Sequence, residues 1–179
     1  IGPSGVTIVI IREDLLDRCP DSINKIFQYK THADAGSMYN TPPTFAIYMA
    51  GLTFKWIKDQ GGLDVVQHKN EIKAKLLYDA IDNSELFYAP VSEAHRSKMN
   101  VVFRVKNNHV EMEEKFIAEA KTAGISGIKG HRSVGGLRAS IYNAQTLENI
   151  EAFVAFMAFV AIAPFRGVHD GRGPGCAPW

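Results

Sequence analysis

The chain has 179 residues and carries 20 Lys and Arg against 19 Asp and Glu, a net charge of +1. Near-neutrality argues against a polyanion-coating protein or a strongly electrostatic membrane binder, and 46% hydrophobic with 22% charged residues excludes wholesale disorder. Two cysteines, Cys19 and Cys176, make neither a disulfide scaffold nor a zinc site by themselves and favour a reducing compartment. The length fits one domain, or one domain plus part of another.

The chain opens Ile1-Gly2-Pro3-Ser4-Gly5, without a starting Met or a basic leader, and so reads as a processed chain or a piece of a longer one. Val6 to Ile11 is a short apolar run rich in β-branched residues and reads as a strand buried on both faces. A second short strand is expected at Phe27–Tyr29, followed by a polar loop over 30–41. Thr41 before Pro42-Pro43 has the form of an N-cap with proline at the first helical position. Phe45, Met49, Leu52 and Trp56 then recur at helical spacing, which predicts a helix over 42–60. A second helix is predicted over 63–82, with Ile72, Leu76 and Ala80 as its apolar stripe. Val101, Phe103 and Val105 alternate as in a strand, and Met112, Phe116 and Ala120 mark a helix over 110–123 that Gly124 ends. Strands are predicted at 125–129 and 137–142, and a last helix from the Thr146 cap to about Val160. Helices and strands in this order from residue 100 onward describe an α+β domain with helices on one sheet face. No run reaches the roughly 18 apolar residues of a membrane span.

Two stretches carry candidate chemistry. Gly130 through Arg138 sets His131, Arg132 and Arg138 around the Gly135-Gly136 pair. Guanidinium groups grip carboxylate and phosphate through paired N–H donors, and glycine lets a ligand approach the backbone. An anionic small-molecule site follows, although by local chemistry alone the plainer reading is a surface turn with solvated arginines. Asn40-Thr41 stands at a helix N-terminus, where anions are favoured, but Pro42 and Pro43 remove two N–H donors and simple capping is the plainer reading. The six histidines are scattered without metal-ligand spacing, so no metal site is expected. Cys19 has no activating neighbour, and basic residues do not gather with aromatics as a nucleic-acid platform requires.

Read together, Ile1 to Gly5 before an apolar strand, Tyr39-Asn40-Thr41-Pro42-Pro43, Arg96-Ser97-Lys98-Met99-Asn100 and the long stretch Gly130 to Ala144 resemble the phosphoserine aminotransferases, class-V pyridoxal-phosphate enzymes. The resemblance covers about residues 1–155. It implies an α/β chain of the aspartate-aminotransferase type (fold type I). Residues 1–58 would be the end of the large cofactor-binding domain with its connecting helix, and 59–155 the small α+β domain. It implies amino transfer between glutamate and 3-phosphohydroxypyruvate, with phosphoserine and 2-oxoglutarate as products, in serine biosynthesis, by a cytoplasmic homodimer. Asn40 and Thr41 match residues that reach the cofactor phosphate across the dimer interface. His131 and Arg132 match residues that bind the substrate phosphate, and Arg138 matches the arginine that holds the substrate α-carboxylate. No membrane or nucleic-acid partner is implied.

The chain also departs from that pattern. In the family the Schiff-base lysine lies just before the Ile-Gly-Pro segment, so no catalytic residue is expected among these 179. Residues 156–179 form an atypical tail expected to be poorly ordered, and the apolar run Ala152–Ile162 has no polar face. An alternative reading is a catalytically inactive chain that uses this helix as an interaction module. Purified alone, the chain is expected not to convert 3-phosphohydroxypyruvate and glutamate to phosphoserine; product forming faster than in an enzyme-free control would contradict this.

Overall fold

Two units, divided between Leu63 and Asp64, make up the chain, and the computed structural model describes residues 2–162. In the first unit Gly2 backs onto helix α2 (Thr44–Asp59) so closely that a Cβ would lie 3.3 Å from the Ala50 nitrogen. The run Val6–Ile11 does not form the expected strand: it joins no ladder among the described residues, and Ile10 is 96% exposed. Strand propensity is not sufficient, because a strand's N–H and C=O groups need a neighbouring chain.

The second expected strand is also absent. Asn24 accepts a hydrogen bond from the Ile26 N–H at 3.1 Å and starts a 3-10 turn over Lys25–Phe27. Such a local side-chain bond competes with extended pairing. The predicted loop over 30–41 contains helix α1 (Tyr29–Asp34). Helix α2 lies where helical spacing put it, but Thr41 is not its cap. The capping position is Pro43, and the Thr44 N–H bonds to the Pro42 carbonyl at 2.8 Å.

The second unit is built on a three-stranded antiparallel sheet: β1 (Phe87–Tyr88), β2 (Asn100–Val105) and β3 (Leu137–Ser140), with β2 central. Val101, Phe103 and Val105 alternate inward as predicted, opposite Ala139 and Leu137. The predicted strand at 125–129 shrinks to a single bridge between Lys129 and Leu137. Helices α3 (Leu63–Asp82), α4 (Val110–Thr122) and α5 (Leu147–Ile162) supply the rest of the core. Phe87, Phe103, Phe116 and Phe153 meet there edge to face, with the Phe87 and Phe116 ring centres 5.0 Å apart. Helix α4 ends at Gly124 as expected, closed by the Ile125 N–H to the Ala120 carbonyl at 2.8 Å. Thr146 caps α5 by accepting from the Asn149 N–H at 3.3 Å. The apolar run of α5 buries Ile150, Phe153, Met157 and Val160 and turns Ala152, Ala155, Ala158 and Phe159 outward. Residues 156–162 are thus the final turns of this helix, and 163–179, the remainder of the expected tail, lie outside the described residues.

The buried stripe of α3 differs from the predicted one. Ile72 is 43% exposed, whereas Val66, Asn70, Lys73, Leu77 and Ile81 face inward. Two polar residues on the inner face hid the true period. Both are matched. Asn70 donates to the Asn143 side chain at 2.7 Å, and Lys73, 3% exposed, donates to the carbonyls of Tyr142 and Gln145 at 2.9 Å each. Together they clamp the loop that follows β3. Burial pushes the Lys73 ammonium below the usual lysine range, so its charged form is disfavoured by folding at neutral pH. That penalty is relieved as pH rises from the lowered folded-state value towards the ordinary 10.5, and stability rises across this window. Lys73→Met is expected to lower stability near neutral pH by roughly 1–3 kcal/mol, since it strands buried carbonyls. The deficit against wild type should widen in the alkaline window, as read by urea unfolding at the two pH values.

Candidate functional site

Strand register decides what the second unit presents. Pairing Val102 with Arg138 and Asn100 with Ser140 puts these four residues on the face opposite the aromatic core, with Arg104 beside them. Arg138 is held by its own backbone, through its N–H to the Ile128 carbonyl at 2.8 Å and its place in the β3 ladder. Its side-chain Nε is buried and has no hydrogen-bond partner among the described residues. A buried donor left unpaired is costly, and an arginine fork in that state is suited to a carboxylate. On one side of Arg138, Ser140 and Tyr142 both donate to the Asn100 side-chain oxygen, at 3.2 and 3.1 Å.

On the other side lies the turn that carries His131 and Arg132. Its base is closed by the Gly130 N–H to the Gly136 carbonyl at 2.8 Å. The Val134 and Gly135 N–H groups both bond to the His131 carbonyl, at 2.9 and 2.8 Å. Gly135 and Gly136 have φ of +74° and +72°, a conformation L side chains rarely adopt, so the diglycine is a requirement of the bend. His131 Nδ1 lies 2.7 Å from the Ser133 hydroxyl, which fixes the ring within the turn. His131 and Arg132 are otherwise exposed, and the turn runs directly into β3 and Arg138. His131, Arg132 and Arg138 therefore belong to one turn-and-strand element.

In the first unit, Asn40 and Thr41 are exposed in the bend before α2, and neither side chain is hydrogen-bonded among the described residues. The stretch Arg96 to Asn100 has a structural role. Arg96 grips Asp82 with two bonds of 2.6 and 2.8 Å and lies over the Tyr78 ring. The bond to Asp82 raises its already high pKa. Lys98 pairs with Glu71 at 2.6 Å and holds that carboxyl below its usual range. The segment thus anchors the entry of β2 to α3. No group of three or more metal-ligating residues occurs among the described residues.

A family model described as Aminotransferase class-V matches residues 1–153. The chain belongs to the class-V aminotransferase family. It is 56% identical over 153 residues to a phosphoserine aminotransferase of Lysinibacillus sphaericus, covering 85% of this chain and 42% of the relative. The corresponding protein of Laribacter hongkongensis is 57% identical over 155 residues, 86% of this chain and 43% of the relative. Among solved structures, phosphoserine aminotransferase from Bacillus circulans subsp. alkalophilus superposes with a TM-score of 0.83 at 47% identity, over 90% of this chain and 45% of that one. The cofactor-bound protein of Trichomonas vaginalis gives a TM-score of 0.76 at 38% identity, over 83% of this chain and 42% of that one. The chain thus spans less than half the length of these relatives. Its fold is that of part of a class-V, fold type I enzyme.

Within this class-V chain, the free amide of Asn40 and hydroxyl of Thr41 are neutral donors at a helix start, a set that fits a phosphate oxygen. The sequence reading missed Arg104, which reaches under the diglycine, and Glu113, which pairs with it. The outward position of Arg104 was readable from the alternation in β2, but its neighbour Gly136 required the register. Gly130 was also missed as a steric necessity. A Cβ there would run into the carbonyl oxygens of Gly135 and Gly136. Gly130→Ala is expected to break the closure and destabilise the unit by about 1–3 kcal/mol, as overpacking against backbone does. Urea unfolding of the variant checks this.

Proposed function

We propose that this chain is part of a phosphoserine aminotransferase that moves an amino group between glutamate and 3-phosphohydroxypyruvate. The observation that carries the reading is the unpartnered, buried Nε of Arg138 next to an exposed turn bearing His131 and Arg132. One fixed fork beside two further cationic or donor groups suits a small substrate with a carboxylate at one end and a phosphate at the other. The names of the relatives support the same substrate class.

In this reading Arg138 holds the α-carboxylate and so fixes the orientation of the substrate's Cα. His131 and Arg132 take the substrate phosphate, and Asn40 and Thr41 take the phosphate of pyridoxal phosphate. That cofactor, when bound, supplies the electron sink that amino transfer needs. Residues 1–58 then belong to the large domain and its connecting helix, and 59–155 to the small domain. The working form is a cytoplasmic homodimer in serine biosynthesis. The exposed Phe45, Ile47, Tyr48 and Leu52 on α2 support a partnered helix, and the exposure of Asn40, Thr41, His131 and Arg132 supports sites completed across subunits.

In the full-length holoenzyme, Arg132→Ala is expected to weaken phosphoserine binding by roughly 10–100-fold, the range for a charge-assisted hydrogen bond, while barely changing serine binding. Arg138→Ala should weaken both ligands alike. Calorimetric titration with each ligand is the measurement, and equal losses for Arg132→Ala would remove its phosphate role.

A further inference from the structure

We propose that Arg104, held by Glu113, is a positioning residue that fixes the His131–Arg132 turn against the sheet, and so sets selectivity for the phosphorylated substrate. The inference rests on the phosphate reading of that turn. Arg104 leaves β2 on the same face as Arg138, at the position that faces Gly136. Its guanidinium lies beneath the diglycine. A Cβ on Gly135 would be 3.1 Å from its Nη2, and one on Gly136 would be 2.9 Å from its Nε. The two missing side chains leave the space the guanidinium occupies. From there Nη2 donates to the Val134 carbonyl at 3.4 Å, at the end of the turn.

Glu113, on α4, explains why the guanidinium stays there. The residue is 5% exposed, and its Oε1 lies 3.5 Å from Arg104 Nε. Neither atom has a hydrogen-bond partner among the described residues, so the contact between them is one of charge. A buried carboxylate with one cation beside it contributes little net stability, because desolvation offsets the attraction. What the pair does supply is direction: it restrains the arginine on the side from which it reaches Val134. The rest of the turn is self-contained. Its hydrogen bonds run between its own residues and between Gly130 and Gly136, and among the described residues Arg104 is a side chain that ties it to the central strand. Arg138 is independent of this tie, because the β3 ladder holds it.

The consequence is selective. Removing Arg104 frees the phosphate-directed groups and leaves the carboxylate fork in place. In the full-length holoenzyme, Arg104→Gln is expected to raise the KM for phosphoserine roughly ten-fold while the KM for serine, offered as an amino donor without the phosphate, stays within about two-fold. The ratio of the two KM values does not depend on how much of the sample folds. Glu113→Gln provides a test of sign. If Arg104 acts by holding the turn, releasing it from Glu113 raises the phosphoserine KM. If Arg104 were itself a phosphate ligand, removing the neighbouring negative charge would lower that KM, and the proposal would be overturned. Equal changes in both KM values, or a change in kcat alone, would overturn it too. Arg132→Ala, run in parallel, separates the two levels. Should it raise the phosphoserine KM while Arg104→Gln does not, only the positioning role falls. Should neither variant move it, the phosphate reading falls and takes this inference with it.

Discussion

The antiparallel register between β2 and β3 is the constraint on which the second unit depends. Pairing Phe103 with Leu137 and Val102 with Arg138 sends the aromatic core to one side and the cationic groups to the other. Because side chains alternate strictly, a slip of β3 by one residue would bury Arg138 and expose Leu137. Two independent forces oppose that slip. The edge-to-face cluster of Phe87, Phe103, Phe116 and Phe153 fills the inner face, and the bend at Gly135-Gly136 sets where β3 can begin. Core packing and site geometry are therefore the same choice.

The polar groups around the sheet divide into those paired within the chain and those that keep an unpaired buried atom. Lys73 and Arg96 lie deep or half-buried, and each has partners that hold a loop or a strand entry in place. Among the described residues, Arg138 Nε, Arg104 Nε, Glu113 Oε1 and Asn70 Oδ1 are buried without a hydrogen-bond partner, whereas the Asn40 and Thr41 side chains are exposed. A folded chain ordinarily pairs its buried polar atoms, so an unpaired one calls for a reason, which for Arg104 and Glu113 is their ion pair. Arg96, gripping Asp82 with two bonds, is satisfied within the fold, whereas Arg138 keeps its buried Nε open.

The first unit shows the same logic in reverse. Its apolar Val6–Ile11 run and the aromatic face of α2 are exposed, although their composition suits burial. The chain spans less than half of its class-V relatives, whose folds superpose on it with TM-scores of up to 0.83. A strand is a shared property of two or more segments, so its sequence can be strand-like while its hydrogen bonds belong to a neighbour.

The sequence alone determined whatever rests on local period and local chemistry. The limits of α3, the alternation in β2, the Thr146 cap and the Gly124 stop all follow from neighbours within a few residues, and the Gly130–Ala144 stretch was specific enough to name the family. The tertiary structure decided whatever requires a partner distant in the chain. Asn70 and Lys73 sit on the buried stripe of α3 because residues 142–145 receive them, some 70 positions away. Thr41 gives up the capping role because Pro43 takes that position. Arg104 meets Gly136 and Glu113 only through strand pairing and helix packing, interactions that no window of adjacent residues contains.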